Sequence, residues 1–164
     1  MSDAPKFVIK RTFNAPLDRV WKAWTELEQM AGWWGPKGFT TDVKTLDLKP
    51  GGLFHYRLAS PQGQEMWGRM VFREIVPKER LVFLNSFSDE SGGLTHHPLQ
   101  EGWPLQIHTT ITFAEENGKT TVTVTGVPYD ASESECETFE KGADSLQAGW
   151  TGTLEKLEGH LADT

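Results

Sequence analysis

The sequence has very little cysteine: Cys136 is the single one in 164 residues. An internal disulfide is therefore excluded, and nothing in the composition indicates an oxidising compartment. Residues 1–10 lack the apolar stretch of a secretory signal, and no apolar run is long enough to span a bilayer. A cytoplasmic protein without membrane insertion is the expectation.

Positive charge is also scarce, with 16 Lys and Arg against 23 Asp and Glu and a net charge of −7. This balance argues against general affinity for nucleic acid or for anionic membrane surfaces. Hydrophobic residues make up 37% of the chain and charged residues 24%, which is typical of a globular protein. The length fits one domain, residues 1–164, with a substantial core.

The motifs of common catalytic and nucleotide-binding sites are missing as well: the sequence has no G-x-S-x-G, no G-x-G-x-x-G and no Walker loop. A zinc site needs three or four converging ligands. The histidines at positions 55, 96, 97 and 108 do not form such a set. The sequence therefore predicts neither a metal nor another cofactor.

Single residues remain as candidates for chemistry. Cys136 lies near the start of a predicted helix, where the helix dipole lowers a thiol pKa, although a small buried hydrophobe is the favoured interpretation. Glu65, Glu74 and Glu101 have the right chemistry for a general acid or base. Solvated carboxylates are the favoured interpretation, so no catalytic residue is assigned.

The clearest pattern that is present lies in residues 132–162. Apolar and small residues recur there at steps of three or four, which predicts one long helix with one buried stripe. The stripe consists of Cys136, Phe139, Ala143, Leu146, Trp150, Thr153, Leu157 and Leu161. Ser132 and Glu135 have the spacing of a capping box. Trp150 is expected to be buried against a sheet.

Glycine interrupts this helical pattern at positions 142, 149 and 152, and each glycine costs about 1 kcal/mol relative to alanine in a helix interior. Gly142 and Gly149 lie beside the apolar stripe. Close packing against the strands is the favoured interpretation, and a cavity wall is the alternative. A helix this long needs a partner for its apolar stripe, and a wrapping sheet is expected.

The preceding chain alternates between apolar and polar residues, which is typical of strands. Strands are predicted at 6–13, 39–48, 53–59, 65–76, 81–86, 105–113 and 119–126, with a frayed terminus at 1–5 and a long loop at 88–103. Two short helices follow the first strand, capped by Asn14 or Ala15 and ending at residue 31. Gly68 predicts a bulge or a close approach. The order predicts an α+β fold with antiparallel strands.

Several motifs resemble one family, the AHSA family of heat-shock-protein-90 ATPase activator homologues in the START-related SRPBCC superfamily. They are Asn14-Ala-Pro16 with Val20-Trp21-Lys-Ala-Trp24-Thr25, Trp33-Trp34-Gly35-Pro36, Pro50-Gly51-Gly52, Trp67-Gly68, Glu74-Ile-Val-Pro77-Lys-Glu-Arg80-Leu81, and Gly149-Trp150 followed by Leu154, Leu157 and Leu161. The resemblance implies a helix-grip fold, in which a curved seven-stranded antiparallel sheet wraps a long C-terminal helix. It also implies a pocket between the sheet and this helix, with the second short helix and the following loop over one mouth.

Aromatic residues from the loop, the strands and the long helix are expected to converge on this pocket. The predicted ligand-binding set is Trp33, Trp34, Tyr56, Trp67, Phe83, Phe87, Trp103, Phe139, Leu146, Gln147 and Trp150. The alternative is that the aromatic residues simply fill the core. Strand parity puts Arg57 and Arg69 outside.

The favoured hypothesis is a protein that binds a small apolar or aromatic molecule and has no catalytic centre. A cyclase- or hydrolase-like enzyme and a chaperone accessory protein are the alternatives, since the superfamily includes both. The expected partner is the small molecule. A homodimer and a chaperone partner stay open.

Overall fold

The computed structural model describes residues 6–35, 38–96 and 102–162. Its elements in chain order are β1 (Phe7–Phe13), α1 (Leu17–Thr25), α2 (Leu27–Trp33), β2 (Thr40–Leu46), β3 (Leu53–Ala59), β4 (Glu65–Val76), β5 (Arg80–Ser88), β6 (Leu94–Thr95), β7 (Gln106–Glu116), β8 (Lys119–Tyr129), α3 (Glu133–Lys141) and α4 (Ala143–Ala162). The predicted α+β class is confirmed. No helix in the described ranges is both long enough and apolar enough to cross a membrane.

The strands form one antiparallel sheet in the order β1-β8-β7-β5-β4-β3-β2. This path contains the seven predicted strands, and the two-residue strand β6 pairs with the end of β5. Alternate residues point to the inner face, so Phe54 and Tyr56 are buried there while Arg57 faces outward. The bends come from bulges, one of which lies between Phe72 and Glu74.

The predicted loop at 88–103 is partly wrong, because β5 continues to Ser88 and β6 turns back onto it. The Asp89 side chain stabilises the connection by accepting hydrogen bonds from Ser91 N at 2.9 Å and Gly93 N at 2.8 Å. This local hydrogen bonding makes a tight turn possible where periodicity alone indicates a loop. Residues 97–101 and the predicted frayed terminus 1–5 lie outside the described residues.

The start of α1 is capped differently from the prediction. Its N-cap residue is Pro16, which has no side-chain cap, so neither Asn14 nor Ala15 fills this role. A carboxylate oxygen of Glu115, from the β7–β8 hairpin, accepts from Leu17 N at 2.8 Å instead. A distant residue therefore satisfies an N–H group that sequence-local residues were expected to bind.

The C-terminal helix is two helices rather than one, because α3 and α4 meet at Gly142. The capping box is confirmed: Glu135 N donates to Ser132 Oγ at 3.1 Å, and Ser132 N donates to Glu135 Oε1 at 2.9 Å. Gly142 has φ −89° and ψ 6°, which bends the chain between the two helices. A Cβ at this position would lie 2.8 Å from the Trp103 ring, so close packing explains the glycine.

The second half of α4 anchors this helix to the rest of the fold. Its buried side chains are Thr153, Leu154, Leu157 and Leu161, and it packs against β1, α1 and α2. Arg19 Nη2 donates to the carbonyls of His160 and Leu161 at 3.3 and 2.8 Å, which satisfies the end of the helix. The first half is more open, with Gln147 and Gly149 exposed. A pocket lies under this half.

Candidate functional site: a pocket between the sheet and the C-terminal helix

The inner face of the sheet and the first half of α4 enclose a pocket of about 330 Å³. This volume is at the lower end of the range for small-molecule sites. The buried part of the wall includes Phe7, Ile107 and Val124 from the sheet. Ser145 and Gly149 border the pocket from α4 and are exposed.

Most of the residues predicted to bind a ligand border this pocket. They are Trp34, Tyr56, Trp67, Phe87, Trp103, Leu146 and Trp150. They come from the segment after α2, from three strands, from the segment before β7 and from α4. Their contact with a ligand stays a prediction, but the fold brings them to one space.

The other four members of the predicted set do not border this pocket. Trp33 is fully buried in the core, where its Nε1 donates to Ala23 O at 2.9 Å. Phe83 is a core residue whose ring meets the edge of Phe72, and Phe139 packs against Trp103. Gln147 is exposed on the outside of α4. Periodicity predicted the element to which each of these residues belongs. It did not predict how deeply the side chain is buried or which side of the element it faces.

Trp67 borders the pocket, yet its ring lies on the outer face of the sheet. It stacks on the His55 ring with the centroids 5.1 Å apart. His55 also points outward, as strand parity predicts, but it is only 6% exposed. The turn after β5 covers it, since a His55 ring nitrogen lies 3.1 Å from Asp89 O.

Trp150 is only partly buried, so the prediction of full burial is wrong. Its ring stacks on Trp24 of α1 with the centroids 6.5 Å apart and meets Trp34 edge-on at 5.5 Å. Both contacts lie on the side of α1 and α2, which are two of the elements that α4 packs against. Trp150 therefore forms an aromatic end wall of the pocket.

The segment after α2 belongs to the wall rather than to a cover over the mouth. Trp34 and Gly35 are buried and line the pocket. Thr153 Oγ1 donates to Gly35 O at 3.0 Å, and Lys156 Nζ donates to Phe39 O at 3.1 Å. Partial burial lowers the pKa of the Lys156 ammonium, so this contact has a desolvation cost. These hydrogen bonds fix the wall to α4.

Two glycines leave room for the pocket in different ways. Position 68 requires glycine, because a Cβ there would lie 2.5 Å from the Tyr56 hydroxyl oxygen. The predicted close approach at Gly68 is therefore confirmed, while the bulge lies further along β4. Gly149 borders the pocket, and a Cβ built on it would meet nothing within 4 Å. At Gly149 the favoured prediction of close packing is therefore wrong, and the alternative of a cavity wall stays a prediction.

A small number of polar groups face this apolar space. Burial raises the pKa of the Tyr56 phenol to about 12, against a smaller opposite effect of its hydrogen bond with the Trp34 side chain. Thr109, which is 2% exposed, donates from Oγ1 to Asn85 Oδ1 at 2.6 Å. Asn85 and Thr109 were not predicted as site residues, although the polar Asn85 directly follows the apolar stretch 81–84. A polar residue that interrupts an apolar strand is a signal from which Asn85 could have been predicted as a site residue.

Residues 14–162 match the family described as activator of Hsp90 ATPase homolog 1-like protein. The chain belongs to this family. No curated protein sequence matches it.

Solved structures with this family's fold include the protein Ms6760 from Mycobacterium smegmatis, with 24% identity, a TM-score of 0.78, and 98% of this chain and 93% of that chain covered. A protein from Arthrobacter aurescens has 23% identity and a TM-score of 0.82 over 100% and 91% of the chains. DynU16, a protein of the dynemicin biosynthetic locus, has 20% identity and a TM-score of 0.67 over 98% and 48%. At these identities the likeness shows the helix-grip fold, and the predicted fold is confirmed.

The side chains considered for chemistry in this AHSA1-like chain lie away from the pocket. Glu65 pairs with Arg57 at 2.9 Å, and Glu74 accepts from Arg80 Nε at 2.6 Å, all on exposed surface. Cys136 is half-buried in α3. Residues 97 and 101 lie outside the described residues. Within the described ranges, no three His, Cys, Asp or Glu side chains are grouped to hold a metal ion.

The raised pKa of Tyr56 predicts how the stability of this AHSA1-like chain changes at alkaline pH. The Tyr56 pKa is about 12 when folded and about 10 when unfolded, so the folded state holds the proton more tightly. The contribution to stability is complete below pH 10 and is lost as pH rises through about 12. Between about pH 9 and pH 11, wild type should lose about 1 kcal/mol more than Tyr56→Phe. Urea unfolding at both pH values measures this difference, and parallel losses would contradict it.

Proposed function

We propose that this protein binds a small, mainly apolar or aromatic molecule in the pocket between the sheet and α4, and does so without converting it chemically. The observation that carries the proposal is the open space beside Gly149, where the pocket wall has no side chain. Aromatic walls with few polar groups are typical of sites for such ligands. Trp34, Phe87 and Trp150 supply this surface.

The mode of binding follows from the packing around the pocket. The wall is rigid on the side of Trp34 because α4 fixes that segment by hydrogen bonds from Thr153 and Lys156. The opposite side, at Phe87 and Trp103, is partly exposed. A flat apolar molecule that enters there would exchange its water contacts for ring contacts, which is favourable by about 25 cal/mol per Å² of apolar surface buried.

The test fills the space beside Gly149. Gly149→Leu should place an isobutyl group in the open space and weaken binding of N-phenyl-1-naphthylamine, a neutral fluorescent probe, about ten-fold or more. Its stability should rise by up to about 1 kcal/mol, because leucine favours the helix and meets no neighbour at Cβ. Fluorescence titration and urea unfolding measure the two effects.

Gly159→Leu is the matched control. Gly159 lies on the same helix, is exposed, has the same open space around its Cβ position and does not border the pocket. This variant should gain the same helical preference and keep the wild-type affinity for the probe. Wild-type protein that binds no probe, or equal binding by both leucine variants, would contradict the proposal.

The residues lining the pocket restrict the acid–base chemistry that an enzymatic function could use. Among the described residues that border the pocket, Tyr56 is the titratable one, and its raised pKa keeps it protonated at neutral pH. A cyclase- or hydrolase-like reaction would have to use it as a donor rather than as a base. Recovery of a ligand unchanged after incubation favours binding alone.

The chaperone alternative needs an apolar contact surface outside the pocket. In the described part of the chain, the large apolar side chains with the greatest exposure are Val8 at 51%, Leu27 at 43% and Leu94 at 40%. They lie on three separate elements, β1, α2 and β6. This dispersion gives the chaperone role less support than the pocket gives ligand binding. A cytoplasmic location and a homodimer stay predictions from the sequence.

A further inference from the structure

The pocket is bordered by a side-chain amide, that of Asn85, whose oxygen makes a hydrogen bond and whose nitrogen makes none among the described residues. Asn85 lies on β5 and borders the pocket, and its Oδ1 accepts from Thr109 Oγ1 at 2.6 Å. In the part of the chain that the structure describes, the Asn85 Nδ2 group makes no hydrogen bond. Thr109 is almost fully buried, so its bond fixes the amide with Oδ1 toward β7. The two N–H groups of Asn85 are therefore left to face the pocket.

Tyr56 offers a second donor. An indole N–H can only donate, so the phenol oxygen of Tyr56 is the acceptor in its hydrogen bond with Trp34. The phenol hydrogen remains to be donated elsewhere. Because Tyr56 keeps this hydrogen until pH approaches about 12, it is a donor throughout the physiological range.

The strand register puts the two donors within reach of one small molecule. The Tyr56 hydroxyl lies over Gly68, and Gly68 is paired with Phe87 across β4 and β5. Asn85 is two residues from Phe87 on the same face, so it is the diagonal neighbour of Gly68. Diagonal neighbours in antiparallel pairs are about 7–8 Å apart.

We infer that the molecule bound by this protein carries a neutral hydrogen-bond acceptor, of the aromatic ketone or quinone type, whose oxygen accepts from Asn85 Nδ2. Tyr56 supplies the second donor, and the apolar body of the molecule lies against Trp34 and Trp150. This inference rests on the proposed function and adds the chemical class of the ligand.

The acceptor is neutral because of the surroundings. No Lys, Arg or His side chain is among the described residues that border the pocket. A carboxylate buried there would lose water without gaining a counter-charge, which is strongly unfavourable. A carbonyl loses less water and recovers two hydrogen bonds.

The test uses fluorenone and fluorene, which have almost the same shape and differ in one carbonyl oxygen. Each compound displaces N-phenyl-1-naphthylamine from the protein, and the ratio of their dissociation constants is the readout. Wild-type protein should prefer fluorenone about ten-fold. Fluorene carboxylate should bind more weakly than fluorenone.

The variant Asn85→Leu with Thr109→Val removes both partners of the buried pair, so neither group is left unsatisfied. Its preference for fluorenone should fall to about two-fold or less. Tyr56→Phe should lower the preference part of the way. Thr110→Val is the control, because Thr110 is the neighbour of Thr109 on the opposite face of β7 and should keep the ten-fold preference.

The outcomes separate the two proposals. Probe binding with equal displacement by fluorenone and fluorene would overturn the inference and leave the proposed function standing. A full preference retained in the double variant, or tighter binding of the carboxylate, would also overturn it. Failure of wild-type protein to bind the probe or either compound would overturn both.

Discussion

Replacing Trp33 with alanine should lower the free energy of unfolding by about 3–5 kcal/mol, the range for removing a buried tryptophan. The ring is fully buried between α1 and α2, with its centroid 4.7 Å from that of Trp24 and 5.6 Å from that of Trp34. Its loss leaves a cavity and an unsatisfied carbonyl at Ala23. Urea unfolding at neutral pH measures the change.

Two further variants separate the causes of this loss. Trp33→Phe keeps an aromatic ring and removes the hydrogen bond to Ala23 O, so it should cost less than alanine. Trp150→Ala should also cost less than Trp33→Ala, because the Trp150 side chain is partly exposed and borders open space. A larger loss for Trp150→Ala would show that the pocket wall, rather than Trp33, is the tighter part of the core.

Gly52→Ala should be about as damaging, with a loss of about 3 kcal/mol or more. A Cβ at this position would lie 1.9 Å from Asp47 O and 2.9 Å from Lys49 O, and both are backbone atoms. Relief requires the loop between β2 and β3 to move. That loop is held by Gly52 N donating to Lys49 O at 2.7 Å and Phe72 N donating to Gly52 O at 3.0 Å.

Gly51→Ala is the matched control for this turn. Gly51 has open space around it, and its φ of 83° is the reason for glycine there. An alanine at Gly51 should cost about 1–2 kcal/mol from backbone strain alone. Thermal and urea unfolding of both variants decide the matter, and a Gly52→Ala loss no greater than that of Gly51→Ala would contradict the steric argument.

These substitutions also bear on function. Gly52 lies outside the pocket lining, whereas Trp33 contacts the ring of Trp34, which borders the pocket. A destabilised variant that still binds the probe at low temperature would show that the pocket forms whenever the fold does. Loss of binding at Gly149→Leu without loss of stability would then be specific to the site.

The sequence by itself determined the features that depend on short-range geometry. The capping box at Ser132 and the alternation along β3 follow from steps of three or two residues, and both are local properties of the backbone. The order of elements and the family motifs were equally visible, since they do not require knowledge of contacts between distant residues.

Tertiary contacts decided the surroundings of the residues that had been singled out from the sequence. Gly142 and Gly149 look alike in the sequence, yet the Trp103 ring fills the space beside one and nothing fills the space beside the other. Likewise, parity placed His55 outside, but the turn at Asp89 buries it. In each case the deciding neighbour is more than 30 positions away along the chain. Periodicity tells which way a side chain points, and only packing tells what it meets there.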